Sequence, residues 1–285
     1  GGSDQNTLRG NIISHSGKHG IYIKTGQNLV VGNTISESGS IDGVTRAGSG
    51  IATLQETIAN AAADFALPGQ TTSLATSDSD LLSVPTAISA IDSNQIMQNT
   101  LIHNLASGIE LKDAVNTRVE GNIAQRNGFN GIYLSSGSHN NLLKQNQAFG
   151  NVGYGIRANG LDVLHNTWTE NSVYANSVGG IGTTSSANGG ITPPTLTVQG
   201  LVVSGTAAPG AVVEIFADAG QQARFFVGRV TAGPTGAFTF TATQPWPGAH
   251  VNATATNTQG NSSPLTYNRG EFVAFASVYV PLARR

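Results

Sequence analysis

The chain has 285 residues, with 14 Lys and Arg against 16 Asp and Glu and a formal charge of −2; this excludes a nucleic-acid binder, since neutralising phosphates needs a basic surplus. Cysteine is absent, which excludes disulfides, zinc–thiolate and iron–sulfur centres and thiol nucleophiles, and no stretch approaches the ~20 apolar residues that span a bilayer. Gly fills 36 positions and charged residues make up only 11%, a composition of tight turns and β-structure rather than of helical bundles.

The first feature along the chain is a repeat. Asn recurs at Asn11, Asn33, Asn99, Asn122, Asn146 and Asn166, at intervals of 22, 66, 23, 24 and 20 residues. A second Asn follows four of these at Asn104, Asn127, Asn151 and Asn171. A Gly-aliphatic pair comes next: Gly20-Ile21, Gly108-Ile109, Gly131-Ile132 and Gly155-Ile156, with Gly43-Val44 as the counterpart in the second unit. Segments such as Ile109-Glu110-Leu111-Lys112 alternate with period two, one face in and one face out. Strands this short cannot pair within a unit. They can pair with the same strand of the next unit, each turn advancing about 4.8 Å. Asn suits the corners of such a coil because it tolerates a left-handed backbone, and stacked inward Asn side chains can bond to one another along the axis.

On these residues, 4–43 and 94–182 resemble right-handed parallel β-helix repeats, as in pectin-lyase-like and NosD-like proteins. The resemblance implies the fold and not the function, because one coil serves lyases, hydrolases, epimerases, adhesins and structural proteins. Residues 44–93 break the pattern, either as degenerate coils or, as we read them, as a long insertion. Leu54, Ile58, Ala61, Ala62 and Phe65 have helical spacing, ended by Pro68-Gly69, so the insertion is expected to be partly helical.

Ser185 to Pro194 reads as a junction, giving a β-helix over 1–190. Beyond it, strand-like runs stand at Leu196–Val198, Leu201–Ser204, Val212–Phe216, Arg224–Val230, Phe238–Thr241 and Val251–Thr256, the spacing of a β-sandwich. The run Gly205-Thr206-Ala207-Ala208-Pro209-Gly210-Ala211-Val212 and the later Gly236-Ala237-Phe238-Thr239-Phe240 resemble a bacterial Ig-like domain, placed at 191–269. That resemblance implies a spacer or anchoring module on a secreted protein. Residues 270–285 form an apolar tail strand: either the last strand of the sandwich or one that adds to a neighbouring molecule. With no initiator Met and no leader, the sequence is expected to be a mature form or a fragment.

The residue after each Gly-Ile pair points outward, which predicts a row of Tyr22, Glu110, Tyr133 and Arg157. Lys24, Lys112, Ser135 and Asn159 lie two residues further on, with Asp113 at the next corner. Rings that pack on sugar faces, flanked by charges that hold uronate or hydroxyl groups, suit a glycan; the alternative is an ordinary solvated strand face. If the protein is an enzyme, the residues to carry it are Glu110, Lys112 and Arg157, and the ligand set is Tyr22, Lys24, Glu110, Asp113, Tyr133 and Arg157. Hydrolysis wants two facing carboxylates, and only Glu110 belongs on the flat face. Lyases of the resembled fold use Arg or Lys as base with calcium, so calcium is the one cofactor in view, and only for a lyase. Lys18-His19-Gly20 is a partial echo of the Gly-His-Gly of polygalacturonases. A second row, His15, Glu37, His103, Arg126, Gly150 and Glu170, could hold a metal but reads as a solvated corner; no metal is expected.

The expectation is therefore an all-β, two-domain, extracellular or cell-surface bacterial protein: a right-handed parallel β-helix followed by an Ig-like β-sandwich. Its first expected role is structural or adhesive, self-associating through coil ends or the tail strand. The other is a polysaccharide lyase, glycoside hydrolase or epimerase acting on an acidic glycan along the exposed face. Expected partners are its own copies or a surface glycan, with neither nucleic acid nor a membrane span.

Overall fold

The structure, a computed structural model, describes residues 5–41, 44–45, 48–53, 91–184 and 186–266. Three parallel sheets, each of six short strands, wind into a β-helix of six coils. The first sheet stacks Thr7–Arg9, Leu29–Val31, Gln95–Met97, Arg118–Glu120, Leu142–Lys144 and Thr167–Thr169. The second stacks Ile12–Ser14, Thr34–Ser36, Thr100–Ile102, Ile123–Gln125, Gln147–Phe149 and Ser172–Tyr174. The third stacks Ile21–Ile23, Ile51–Thr53, Ile109–Lys112, Ile132–Ser135, Tyr154–Asn159 and Gly179–Thr183. Alternation sends one side chain in and the next out, so like residues pile up inside: Val30, Ile96, Val119, Leu143 and Trp168 under the first sheet, and Ile51, Ile109, Ile132, Ile156 and Ile181 under the third.

The corners are held by Asn side chains, buried in every coil after the first. One ladder runs Asn11, Asn33, Asn99, Asn122, Asn146, Asn171, each Oδ1 accepting the backbone N–H of the Asn one coil before it at 2.8–3.0 Å. Asn171, not Asn166, continues this ladder. Asn166 belongs to a ladder absent from the sequence reading, with Asn6, Asn28, Asn94 and Asn141; Thr117 stands in the vacant place and donates its N–H to Asn141 Oδ1. A third comprises Asn104, Asn127, Asn151 and Asn176, with Ser38 ahead of them.

The left-handed turn expected of the ladder Asn belongs instead to the residue just before it. Gln98 (φ 54°), Gly121 (64°), Gln145 (53°) and Glu170 (53°) precede Asn99, Asn122, Asn146 and Asn171. Division of labour explains this: one residue reverses the chain, and the next turns its amide inward. The same rule accounts for the row His15, Glu37, His103, Arg126 and Gly150, which are reversing residues of this kind; His15 and Glu37 pair across adjacent coils. The Gly of each Gly-Ile pair is fixed by close approach. A Cβ on Gly131 would meet Gly155 O at 2.6 Å and Ala148 Cβ at 2.7 Å.

The structure also corrects the break. Ile51–Thr53 pairs with Ile21–Ile23 on one side and with Ile109–Lys112 on the other, so the Gly-aliphatic pair of the second coil is Gly50-Ile51. Val44–Thr45 instead forms a small antiparallel pair with Ser40–Ile41. Leu29–Val31 pairs directly with Gln95–Met97, so the 66-residue interval hides no further coil. The helix read over 54–65 lies outside the described residues, and the helical character of the insertion has no support; the tail, 270–285, lies outside them as well.

Two three-stranded antiparallel sheets follow: Thr195–Gln199, Val202–Thr206 and Ala237–Thr241 in one, and Phe225–Thr231, Val212–Asp218 and His250–Thr256 in the other. Each overlaps a run expected from sequence. Their core includes Val203, Val213, Ile215, Phe238, Trp246 and Val251. This sandwich closes the last coil. Gln222 Oε1 accepts from the backbone N–H (3.3 Å) and Nδ2 (3.1 Å) of Asn176, in the place a seventh coil would fill. Val173 and Ala223 exchange backbone hydrogen bonds at 2.9 Å, and Trp168 Nε1 donates to Ser263 O. Phe216, Ala223 and Leu265 join the apolar core of the β-helix.

Glu214 lies buried in this junction, accepting from Thr169 Oγ1 (2.5 Å) and from the Glu170 backbone N–H (2.9 Å), with Arg229 3.7 Å away. Burial raises its pKa, and the Thr169, Glu170 amide and Arg229 contacts oppose the rise only in part.

Asn122 Nδ2 donates to Ile96 O and Asn146 Oδ1, while its Oδ1 takes two bonds from Asn99. Asn122→Ala strands several buried groups, each worth ~1–3 kcal/mol, so denaturant unfolding should show a loss of about 3 kcal/mol or more. For Glu214, the folded protein favours the protonated form. Its contribution is therefore complete below the ordinary value of 4.5 and is lost as pH rises through the raised one. Stability measured against pH should fall across that window in the native protein and not in Glu214→Gln, whose amide can accept from the Glu170 N–H and donate to Thr169. Glu214→Ala should cost about 1–3 kcal/mol by leaving that N–H unpaired.

Candidate functional site

The outer face of the third sheet carries the chemistry. Its strand register sets Tyr22, Ala52, Glu110, Tyr133, Arg157 and Gly182 in one row. Four of these are the residues expected there; Ala52 separates Tyr22 from Glu110 because the second coil takes its strand from Ile51–Thr53. Lys112, Ser135 and Asn159 form the adjoining row as expected. Lys24, one residue beyond Ile21–Ile23, holds its Nζ 5.0 Å from the centroid of the Tyr22 ring. Asp113 is set apart from the face: it is a corner residue with φ 54°.

Around Arg157 the face sinks into a recess of about 340 Å³ lined by Phe129, Tyr133, Tyr154, Arg157, Asn159 and Val178. Phe129 meets Tyr133 edge-on, with ring centroids 5.9 Å apart, and Phe129 and Val178 are more than half exposed. Asn159 Nδ2 donates to the Tyr133 hydroxyl at 3.1 Å. The Arg157 guanidinium lies 4.6 Å over the Tyr154 ring, and that ring lies against Gly182, where a Cβ would meet it at 2.4 Å. Any other residue at 182 would push Tyr154 away from Arg157. Among the described residues Arg157 has no carboxylate partner, although Arg118 pairs with Glu120 and Arg229 with Glu170 and Glu214. In the wall of the recess Asn130 accepts from the Tyr154 N–H through Oδ1, while its buried Nδ2 has no hydrogen-bond partner.

At the other end of the row, His19 stacks on Tyr22 with ring centroids 5.3 Å apart. Ser49, which is buried, donates its backbone N–H to His19 Nδ1 (3.2 Å) and its hydroxyl to Glu110 (2.8 Å). Burial lowers the His19 pKa; the Glu110 charge opposes this and Lys18 reinforces it. Glu110 thus faces outward on a fixed tether, with no second carboxylate beside it in the row. Among the described residues no three His, Asp or Glu side chains converge where a metal could sit. Sequence reasoning missed the recess residues Phe129, Tyr154 and Val178. The first two flank Gly-Ile pairs, so a search for aromatics at the corners beside each pair would have found them.

The model of the right-handed β-helix region matches residues 65–214, and that of the bacterial Ig domain matches 191–268. The chain belongs to the right-handed β-helix family and carries a bacterial Ig domain at 191–268. Among solved structures, a point mutant of the periplasmic alginate epimerase AlgG is similar at 17% identity, covering 62% of this chain and 34% of that one, with a TM-score of 0.39. The structure of AlgG itself is similar at 18% identity, covering 61% and 33%, with a TM-score of 0.38. The chain thus spans about a third of the length of those proteins. No curated protein matches it.

Proposed function

We propose that this protein binds an acidic polysaccharide along the outer face of its third sheet, in an extracytoplasmic bacterial setting. The observation that carries the reading is Arg157: a guanidinium without a described carboxylate partner, laid on the Tyr154 ring in an aromatic recess. A uronate carboxylate can take the two parallel N–H bonds of a guanidinium, a geometry that selects carboxylate over hydroxyl. The exposed ring of Phe129 and the Tyr133 ring give an apolar surface for the C–H face of the same sugar. The Asn159 amide and the Tyr133 hydroxyl offer hydrogen bonds to its oxygens. Because the strip repeats at strand spacing, a linear polymer can lie along it and meet Glu110 and Tyr22 further on.

Glu110 favours a second reading, in which the bound glycan is also transformed. Its tethered carboxylate stands one strand from Tyr133 and two from Arg157, where a proton acceptor for a bound uronate would be useful. With no second carboxylate beside it in the described row, it suits lyase or epimerase chemistry better than hydrolysis. Structural, adhesive and self-associating roles draw no support from the fold or the comparisons.

Calorimetric titration with polygalacturonate, alginate and a neutral glucan tests the proposal. The polyuronates should bind and weaken with added salt, and the glucan should not bind. Arg157→Ala should reduce polyuronate affinity at least tenfold, the worth of a charge-assisted pair; unchanged affinity would refute the site. Chromatography and NMR of the recovered glycan decide the second reading: altered product that disappears with Glu110→Gln makes the protein an enzyme, and unaltered glycan makes it a binder.

A further inference from the structure

We infer that His19 is a fixed, neutral hydrogen-bond donor that forms, with the Tyr22 ring, a second subsite taking a sugar hydroxyl; this rests on the glycan reading of the same face. The geometry begins with Ser49. Its backbone N–H donates to His19 Nδ1 at 3.2 Å, and a nitrogen that accepts a hydrogen bond carries no proton. The neutral ring therefore holds its proton on Nε2. Protonating Nδ1 would set N–H against N–H, so the contact that orients the ring also resists its charging. Burial lowers the pKa in the same direction, with Lys18 and opposed by Glu110. Stacking on Tyr22, at 5.3 Å and an interplanar angle of 23°, fixes the plane of the ring.

With Nδ1 engaged and Nε2 protonated, the ring has no lone pair to remove a proton from a sugar. It can only donate. Among the described residues nothing is hydrogen-bonded to Nε2. The Glu110 carboxylate, tethered to the same Ser49 at 2.8 Å, disfavours an anion here, so the acceptor that fits is a hydroxyl. Tyr22 and Arg157 stand four strand spacings apart in the row, roughly 19 Å. A long oligosaccharide can therefore reach both subsites, and a disaccharide only one.

Oligogalacturonates and oligoalginates of defined length, from disaccharide to octasaccharide, test this by titration into the native chain and three variants. His19→Ala, and His19→Phe, which keeps the stack on Tyr22 without the donor, should each cost the octasaccharide about tenfold in affinity, one hydrogen bond's worth. Both should leave the disaccharide unchanged, whereas Arg157→Ala should weaken both lengths. Equal loss at both lengths, or none at either, in the His19 variants overturns the subsite. If Arg157→Ala still costs affinity in that case, the glycan reading survives it; if no uronate binds the native chain, both fall. A second readout needs no ligand. Long-range proton–nitrogen NMR of the imidazole at neutral pH should show the Nε2–H tautomer, and an Nδ1–H or doubly protonated ring overturns the assignment.

Discussion

Every strand of the β-helix is too short to hold itself, and the buried Asn amide is what makes such strands usable. Three residues leave a corner with backbone groups that no neighbour in the same coil can reach. A ladder Asn solves this in both directions along the axis. Its oxygen takes the N–H of the coil before it, and its nitrogen gives to a carbonyl of that coil and to the next Asn in the stack, as Asn146 does with Asn122, Val119 and Asn171. Apolar residues such as Ile109, Ile132 and Ile156 supply the burial that favours collapse. They would tolerate sliding by one residue far better than the amides do, because an amide out of register leaves several buried polar groups unpaired at once. The amides therefore fix which residue faces outward on every coil.

From that register comes the face. Glu110, Tyr133 and Arg157 are distant in sequence but occupy equivalent positions on successive coils, so they stand in line at strand spacing without any loop to position them. The corners add what a flat strand cannot. Phe129 and Val178 come from turns between the second and third sheets, and they raise a wall beside the row. Gly182 supplies absence instead of bulk, and the Tyr154 ring fills the space it leaves. A rigid ladder with one aromatic recess and charges along its length is suited to an extended ligand more than to a compact one.

The repeat made much of this legible. Alternation after each Gly-Ile pair predicted the outward row, and the six sandwich strands were visible as Thr/Val runs between Gly and Pro turns. The failures have physical causes. Asn166 was assigned to the wrong ladder because spacing alone cannot distinguish two ladders five residues apart; only the direction of the side-chain bonds separates them. The second coil was read through Gly43-Val44 because Gly50-Ile51 lies seven residues late, behind a small hairpin that no periodicity announces. The row of His15, Glu37 and His103 reads in the sequence as a solvated corner, and the structure adds why those positions are corners: each reverses the chain with a left-handed backbone. The recess escaped notice because Phe129 and Val178 belong to corners, where no period constrains the residue. His19 did stand out in the sequence, but its role depends on Ser49, thirty residues away.

The sandwich at the end of the coil has a consequence for how the protein is made. The sixth coil presents an open edge: the N–H groups of Asn166, Val173 and Asn176 are taken by Asn188, Ala223 and Gln222, all of which lie further along the chain. During synthesis the chain emerges from its N-terminal side, so the coil is complete before most of its cap exists. For that interval it ends in exposed, parallel-ready strands of the kind that recruit other chains. The cap is not contiguous either, since Ser262 and Leu265 close the same edge from the far side of the sandwich. Protection therefore comes in stages, first from Asn188, then from Gln222 and Ala223, and last from the segment at 262–266. Slowing translation between the last coil and that segment would lengthen the time in which nascent chains can join edge to edge.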